Sequence, residues 1–408
     1  MKLLKVDTLC QAREKLWEKF ATRVPKTEII SLNNTYNRIL AEDIYTSCDI
    51  PAFRRATVDG YALLAADTAG AGEAIPVFLK QTDAVSMGKP AEFSIKAGEC
   101  ASVPTGGMLP GGADAVVMLE FCENAGGNVA VYEAVAPEAG VAEAGEDIRS
   151  GELLLRKGAR LRPQEAGLLA ATGITSPPVF SPLKLTLIST GDELVPPEQT
   201  PELGKIRDMN SSIIKTLARK RDYSVVSALL IPDDKERLKT AIKEALVSSD
   251  VIVISGGSSQ GEKDITAAVI NETAKPGAFT HGLALKPGKP TILGWDEESQ
   301  TLLTGLPGHP VSAMIVFELL FGWLSENFFR LTPALPVPAR ISSNIPGSPG
   351  RTLCQPVILK LEGGTYSAEP VFGKSGMITT LTKADGYIII DLKKEGLLKD
   401  EPVLVHLF

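Results

Sequence analysis

A chain of 408 residues is too long for one ordinary hydrophobic core and points to roughly two to four domains. Its apolar fraction of 44% and charged fraction of 22% are those of a soluble globular protein, and no apolar run approaches the roughly 20 residues of a membrane helix. A formal charge of −7, with no basic stripe or arm, argues against a nucleic-acid partner.

Residues 7–21 carry a helical period in which Leu9, Ala12, Leu16 and Phe20 share one face and Asp7 or Thr8 is the N-cap. The alternating charges from Lys2 to Lys19 are not those of a signal peptide. A second helical stretch is expected over residues 27–45. From about 49 to 139, short apolar runs broken by Gly and Pro (Pro76-Val-Phe-Leu; Ala115-Val-Val-Met-Leu-Glu120) predict an inserted β-rich domain. Residues 146–174 return to a strand and a helix with Pro163 near its start.

Residues 183–325 alternate: strand 185–189, helix 211–220, strand 224–230, helix 233–248, strand 250–255, helix 263–272, strand 301–304 and helix 310–326. That alternation predicts a parallel sheet with right-handed crossovers. Thr332-Pro-Ala-Leu-Pro-Val-Pro338 is a stiff linker and a domain boundary. Residues 339–408 read as short strands of a small β-barrel or sandwich, without a strong helix. Cys10, Cys48, Cys100, Cys122 and Cys354 are scattered and form no Cys-x-x-Cys pair, which suits a reducing cytoplasm. His281, His309 and His406 have no metal-ligand spacing.

Three strands end in Gly-rich polar turns, where open α/β sheets bind ligands. In Ser189-Thr-Gly-Asp-Glu193, Gly191 permits a tight turn, and Asp192 and Glu193 offer hard oxygens to Mg²⁺; an acidic helix-capping turn is the bland alternative. In Ser255-Gly-Gly-Ser-Ser-Gln-Gly-Glu-Lys-Asp264, glycines and small hydroxyl residues expose N–H groups that cradle an anion beside a helix start. Asp264 either binds metal or favours the helix dipole. The Gly-Lys-Ser/Thr ending of a Walker A loop is absent. Lys286-Pro-Gly-Lys-Pro290 fixes two ammonium groups in a stiff loop suited to phosphate, or is a charged surface loop. In Gly305-Leu-Pro-Gly-His-Pro-Val-Ser312, His309 is either a turn residue or a ligand contact. Asp59-Gly60 reads as a turn tip, and Val103–Glu120 holds too many glycines for a plain strand.

In this order the motifs resemble the molybdopterin molybdotransferase family, that of MoeA and the gephyrin E domain. Asp59-Gly-Tyr-Ala, Pro104-Thr-Gly, Gly112-Ala-Asp-Ala-Val-Val, Gly145-Glu-Asp147, Ser189-Thr-Gly-Asp-Glu, Ser255-Gly-Gly, Lys286-Pro-Gly-Lys-Pro and Gly305-Leu-Pro-Gly carry the likeness over nearly the whole chain. The resemblance implies a doubly wound α/β molybdopterin-binding domain (1–26 plus 175–331), a discontinuous linking domain (27–48 plus 140–174), an inserted β-rich domain (49–139) and a C-terminal β-barrel (332–408). It implies a cytoplasmic homodimer whose active site takes Asp59 and Thr105 from the second subunit. Molybdopterin adenylyltransferase and molybdoenzyme chaperones are the implied partners, with no nucleic acid and no membrane.

The implied reaction is Mg²⁺-dependent insertion of molybdate into adenylylated molybdopterin with release of AMP. The implied catalytic residues are Asp59, Thr105, Asp147, Glu193, Lys286 and Lys289. Those implied to bind the cofactor are Thr190, Gly191, Asp208, Ser255, Gly256, Gly257, Gly261, Pro307, Gly308, Ser312, Arg351 and Ser375, with Asp192, Glu193 and Asp264 on the metal. This chain departs from the family pattern at Arg54-Arg55, Ala56-Thr57, Val58, Ser258-Ser-Gln260, His309 and Pro356. Alternatives are a tungstate-specific insertase, a non-catalytic cofactor-binding or scaffold paralogue, and the preceding adenylylation step. The retained acids favour the insertase over the scaffold, and the additional domains argue against the adenylylation enzyme.

Overall fold

The computed structural model describes residues 6–256 and 262–408, apart from the side chains of residues 262–264. The chain forms two compact units, Met1–Glu28 with Phe180–Phe408, and Ile29–Val179. The expected boundary at 332–338 falls inside the first unit, and Val337 and Pro338 already belong to a paired strand.

In the first unit, α1 (Leu9–Phe20) is closed by a capping box between Thr8 and Gln11 and buries Ala12, Leu16 and Phe20. Phe20 meets Trp295 and Phe328 edge-on at 6.0 and 5.2 Å, which fastens the N-terminal helix to the α/β core. The α/β elements follow as β1 (Leu183–Thr190), α2 (Met209–Lys220), β2 (Tyr223–Ile231), α3 (Lys235–Leu246), β3 (Val251–Gly256) and α4 (Glu262–Thr273). Then come β4 (Pro276–His281), β5 (Ile292–Asp296), β6 (Thr301–Leu306) and α5 (Pro310–Phe317). The sheet order is β2-β1-β3-β6-β5-β4.

Strands β2, β1, β3 and β6 are parallel, but β5 runs antiparallel to both β6 and β4. The sheet is therefore mixed, not purely parallel as the alternation predicts. A short antiparallel pair needs no crossover helix, so it leaves no helical period in the sequence. Ile188, Ile252, Ile254 and Leu303 pack with Ile242, Val269 and Ile270 of the covering helices, the arrangement that makes β3 read as an apolar run.

Beyond β6, α5 continues through a π-helical segment, Glu318–Gly322, into Trp323–Phe328. This rod, Pro310–Phe328, is long and apolar enough to cross a bilayer by length and composition, contrary to the expectation that no run approaches that length. Since 78% of its apolar window is buried within this unit, it is a core helix here.

The C-terminal part closes into a five-stranded barrel: β7 (Val337–Ile341), β8 (Thr352–Glu362), β9 (Thr365–Pro370), β10 (Gly386–Ile390) and β11 (Pro402–Leu407). Its order is β8-β9-β7-β11-β10, and β10 pairs back onto β8. Ile341, Val357, Ala368, Ile388 and Val405 fill its interior. Leu285 and Lys286 add a short parallel strand against Thr352 and Leu353 at the start of β8.

The second unit carries a mixed six-stranded sheet, in spatial order Ala115–Met118, Gly60–Leu63, Glu99–Val103, Val77–Ala84, Asn128–Val131 and Cys122–Ala125. Alternate residues enter two cores, Ala62, Ala101 and Val116 on one face and Tyr61, Leu63, Cys100, Ala115 and Val117 on the other. The helix with Pro163 at its start is present as Pro163–Ala171. The expected helix over 27–45 is not. That segment holds the strands Thr27–Ile29 and Ile44–Tyr45 and a 3₁₀ turn at Leu32–Asn34. Its amides instead reach residues 159–177: Ile30 to Pro177 O, Leu32 to Thr175 O and Leu40 to Ala159 O. The Asn33-Asn34-Thr35-Tyr36-Asn37 run, with Asn37 at φ 62°, favours turns over a helix interior.

Candidate active site

The strand order makes the gap between β1 and β3 a topological switch point, where the connections leave toward opposite sides of the sheet. Thr190 and Gly256 are register partners at that gap. A Cβ on Gly256 would stand 2.8 Å from the carbonyl carbon of Thr190 and nearer still to its oxygen. Only glycine lets the two strand ends close up.

Thr190 is buried at the crest, and the chain then turns through Gly191 to the exposed carboxylates of Asp192 and Glu193. The Asp192 carboxylate accepts the Asp233 N–H at 3.2 Å, and its carbonyl accepts the Lys205 ammonium. Ser255 is buried one residue below Gly256. Gly257, Gly261 and the Ser258–Gln260 stretch lie outside the described residues, and so does the side chain of Asp264. Among the described residues, no three His, Cys, Asp or Glu side chains form a metal cage.

Asp208 caps α2, accepting the Ser211 N–H at 3.0 Å and the Ser211 hydroxyl. Its carboxylate is 4% exposed and committed to that cap, which accounts for Asp at this position without a ligand. Asn210, two residues on, is a residue that the sequence motifs did not mark. Its Nδ2 donates to Ser255 Oγ at 3.1 Å and to the Gly308 carbonyl at 2.7 Å, stapling the end of β3 to the loop after β6. Its buried Oδ1 has no partner among the described atoms. The one sequence signal was a poor helix former in the first turn of a helix.

Seven of the expected residues line a single open cleft of about 640 Å³ on the barrel side of the unit: Lys286, Lys289, Pro307, Gly308, Ser312, Arg351 and Ser375. Lys286 is placed by its pairing with β8, and Arg351 immediately precedes that strand. Pro307, Gly308 and Ser312 surround the start of α5, where Pro310 occupies the first turn. Ser375 is held against this start by its carbonyl, which accepts the Val311 N–H at 3.2 Å, and by its hydroxyl, 2.7 Å from His309 Nδ1. Two lysines and an arginine, with no acidic residue among the described lining residues, give the cleft the charge an anion requires. Cys354 also lines the cleft, but burial pushes its thiol up to about 12, so it stays protonated and is no thiolate ligand at neutral pH.

In the second unit, Asp59 lies in the turn after Arg55–Ala56. Its carboxylate accepts the backbone N–H of Thr105 at 2.6 Å and the Thr105 hydroxyl at 2.9 Å. The two bonds hold the Asp59 carboxyl below its ordinary range, so it is ionised and pre-aimed at neutral pH. Gly60 is not the turn tip expected from the sequence. It is buried at a strand start, where a Cβ would sit 2.8 Å from the carbonyl carbon of Val117. Asp147 is exposed on the loop whose backbone bonds Ile50.

Three family models cover most of the chain: the MoeA N-terminal region (domain I and II) at residues 8–173, a probable molybdopterin binding domain at 186–326, and the MoeA C-terminal region (domain IV) at 338–408. The chain belongs to the MoeA family of molybdopterin molybdenumtransferases. A putative molybdopterin biosynthesis protein of Methanocaldococcus jannaschii is 34% identical, with 100% of both chains covered. The molybdopterin molybdenumtransferase of Haemophilus influenzae is 34% identical over 77% of this chain and 75% of its own. The crystal structure of a MoeA protein from Pyrococcus horikoshii superposes with a TM-score of 0.84 at 31% identity, covering 99% of this chain and 100% of that one. The MoeA fold, with its α/β domain and closed barrel, is thus common to this chain and to those relatives.

Proposed function

We propose that this MoeA-type chain carries out the metal-insertion step of molybdenum cofactor biosynthesis: it joins molybdate to adenylylated molybdopterin and releases AMP. The observation that supports this most directly is the cleft in which Lys286, Lys289, Arg351 and Ser375 converge from two parts of the fold. Molybdate is a tetrahedral dianion, and cations with an oxygen-bound donor answer its charge and its acceptors. The opening of the phosphoanhydride belongs to the strand ends. There Gly256 and the start of α2 leave room for backbone close to the ligand, and Asp192 and Glu193 stand exposed beside it.

Mg²⁺ fits this chemistry. The ion takes one or two carboxylates and completes its shell with water and substrate phosphate, and Asp192 and Glu193 are the described carboxylates that would hold it. Bound there, it would polarise the phosphoryl oxygens. The protein's own part is to orient the pyrophosphate on backbone N–H groups, to hold the oxyanion on Lys286, Lys289 and Arg351, and to present the ionised Asp59 carboxylate. We infer a homodimer in which Asp59 and Thr105 serve the partner copy's site, and a cytoplasmic location.

The test is AMP release from adenylylated molybdopterin with Mg²⁺, in the presence of molybdate, tungstate or no oxyanion. The expected result is release stimulated by oxyanion, abolished in Glu193→Gln and needing far more molybdate in Lys289→Ala. Tight ligand binding with no release under any condition would overturn the insertase and favour a binding paralogue.

A further inference from the structure

We propose that His309 is a positioning residue for the oxyanion: its imidazole fixes the Ser375 hydroxyl as a donor into the cleft, and anion occupancy selects the Nδ1-protonated ring. The inference rests on the reading of the cleft as an oxyanion site, and it assigns to His309 a task that a simple N-cap or turn residue does not have.

The geometry is specific. His309 is the N-cap of α5, yet its side chain makes no capping bond. Its carbonyl accepts the Ala313 N–H at 2.9 Å, so the backbone serves the helix while the ring points elsewhere. The ring reaches across to Ser375, with Nδ1 and Oγ 2.7 Å apart. The Ser375 carbonyl in turn accepts the Val311 N–H at 3.2 Å, so the two loops are laced by backbone and side chain together. Both residues line the cleft with Lys286, Lys289 and Arg351.

A hydroxyl owns one proton, and the contact can be made in two ways. If Nδ1 is bare, Ser375 spends its O–H on the ring and turns lone pairs toward the cleft. If Nδ1 carries the proton, the ring donates to Ser375 and frees its O–H. Molybdate and tungstate present only acceptors, so only the second arrangement offers them a bond. The anion and the Nδ1 proton therefore favour each other by linkage. The Ser375 hydroxyl is thus switched between donor and acceptor by the tautomer of the neighbouring ring.

The experiment is a titration of the whole protein with molybdate, followed by calorimetry and by ¹⁵N resonances of labelled histidine. The chain has three histidines, so His281 and His406 serve as internal references. In the wild type, saturation should move the His309 pair to the Nδ1–H signature and leave the other two in place. His309→Ala and Ser375→Ala should each weaken molybdate binding about 3- to 10-fold, the range of one net hydrogen bond. The double variant should lose no more than either single one, because the two act as a unit. Unchanged His309 resonances, or additive losses, would overturn the proposal while Lys289→Ala still weakens binding. Failure of the wild type to bind molybdate or tungstate, or indifference to Lys289→Ala, would instead overturn the oxyanion reading of the cleft and this proposal with it. Melting curves for each variant separate lost binding from lost folding.

Discussion

Gly256→Ala is the sharpest test of the strand-end geometry. The added methyl would stand 2.8 Å from the carbonyl carbon of Thr190, whereas a non-bonded carbon pair rests at roughly 3.5–4.0 Å. The ends of β1 and β3 must then part by about 1 Å. Thr190 cannot yield cheaply, since its contacting carbonyl is main chain at the last rung of a parallel ladder that continues back through Ser189 and Ser255. Gly256 also sits at φ 151°, where an L side chain is strained. Overpacking of this kind costs about 1–3 kcal/mol, and loosening one or two ladder hydrogen bonds adds about 1 kcal/mol each. A total of about 2–5 kcal/mol lowers the calorimetric midpoint of a unit this size by roughly 4–20 °C. Molybdopterin binding should weaken further than stability alone requires, because the crevice itself is widened. A variant that melts within 1 °C of the wild type and binds the pterin normally would refute the close-approach argument.

Two further outcomes follow from polar contacts described above. Thr105→Val removes one of the two bonds that depress the Asp59 pKa, so its carboxyl should titrate nearer the ordinary Asp value in carbon-detected NMR. A depressed folded-state pKa gives stability that is present above the unfolded pKa and lost as pH falls through the folded one. Thr105→Val should therefore lower stability at and above neutral pH while leaving it nearly unchanged below the folded-state pKa, so that the acid limb of the unfolding profile shrinks from its upper end. Arg221→Met strips the main partner from Glu318, which is 1% exposed and takes the Arg221 Nε–H at 2.7 Å. Lys220 at 3.8 Å is a poor substitute, so the loss should be about 3 kcal/mol, most of it recovered in Arg221→Met/Glu318→Gln. No recovery would locate the effect in packing.

The α/β core was readable because its central strands are buried on both faces and its helices are amphipathic, so that β1, β3 and β6 show as largely apolar runs and α2 and α3 show a 3.6-residue period. Strands β4 and β5 were not readable. Pro276-Gly277 opens one and Gly294 interrupts the other, and their antiparallel pairing needs no helix to announce it. The 27–45 segment failed for the opposite reason, since its apolar spacing suggests a helix whereas its amides are claimed by residues more than a hundred positions away. In the site, charge and turn chemistry picked out Lys286, Lys289, Arg351 and Ser375, but their convergence on one cleft depends on tertiary pairing. Asn210 was hard to pick out because its task, joining Ser255 to Gly308, exists only once a helix start, a strand end and a loop meet.

The short strand at Leu285–Lys286 is sewn to the first residues of β8, and Thr352 N–H reaches back to the Ala284 carbonyl at 2.8 Å. One jaw of the cleft is therefore spliced into the other. The barrel cannot swing away to admit a large ligand unless Lys286 travels with it, and a chain trimmed before residue 338 would lose Arg351 and Ser375 together with the brace that aims Lys286. If the cleft holds the oxyanion as proposed, its grip and the integrity of the last seventy residues are a single property, and damage far out on the barrel should register first as a blunted response to oxyanion.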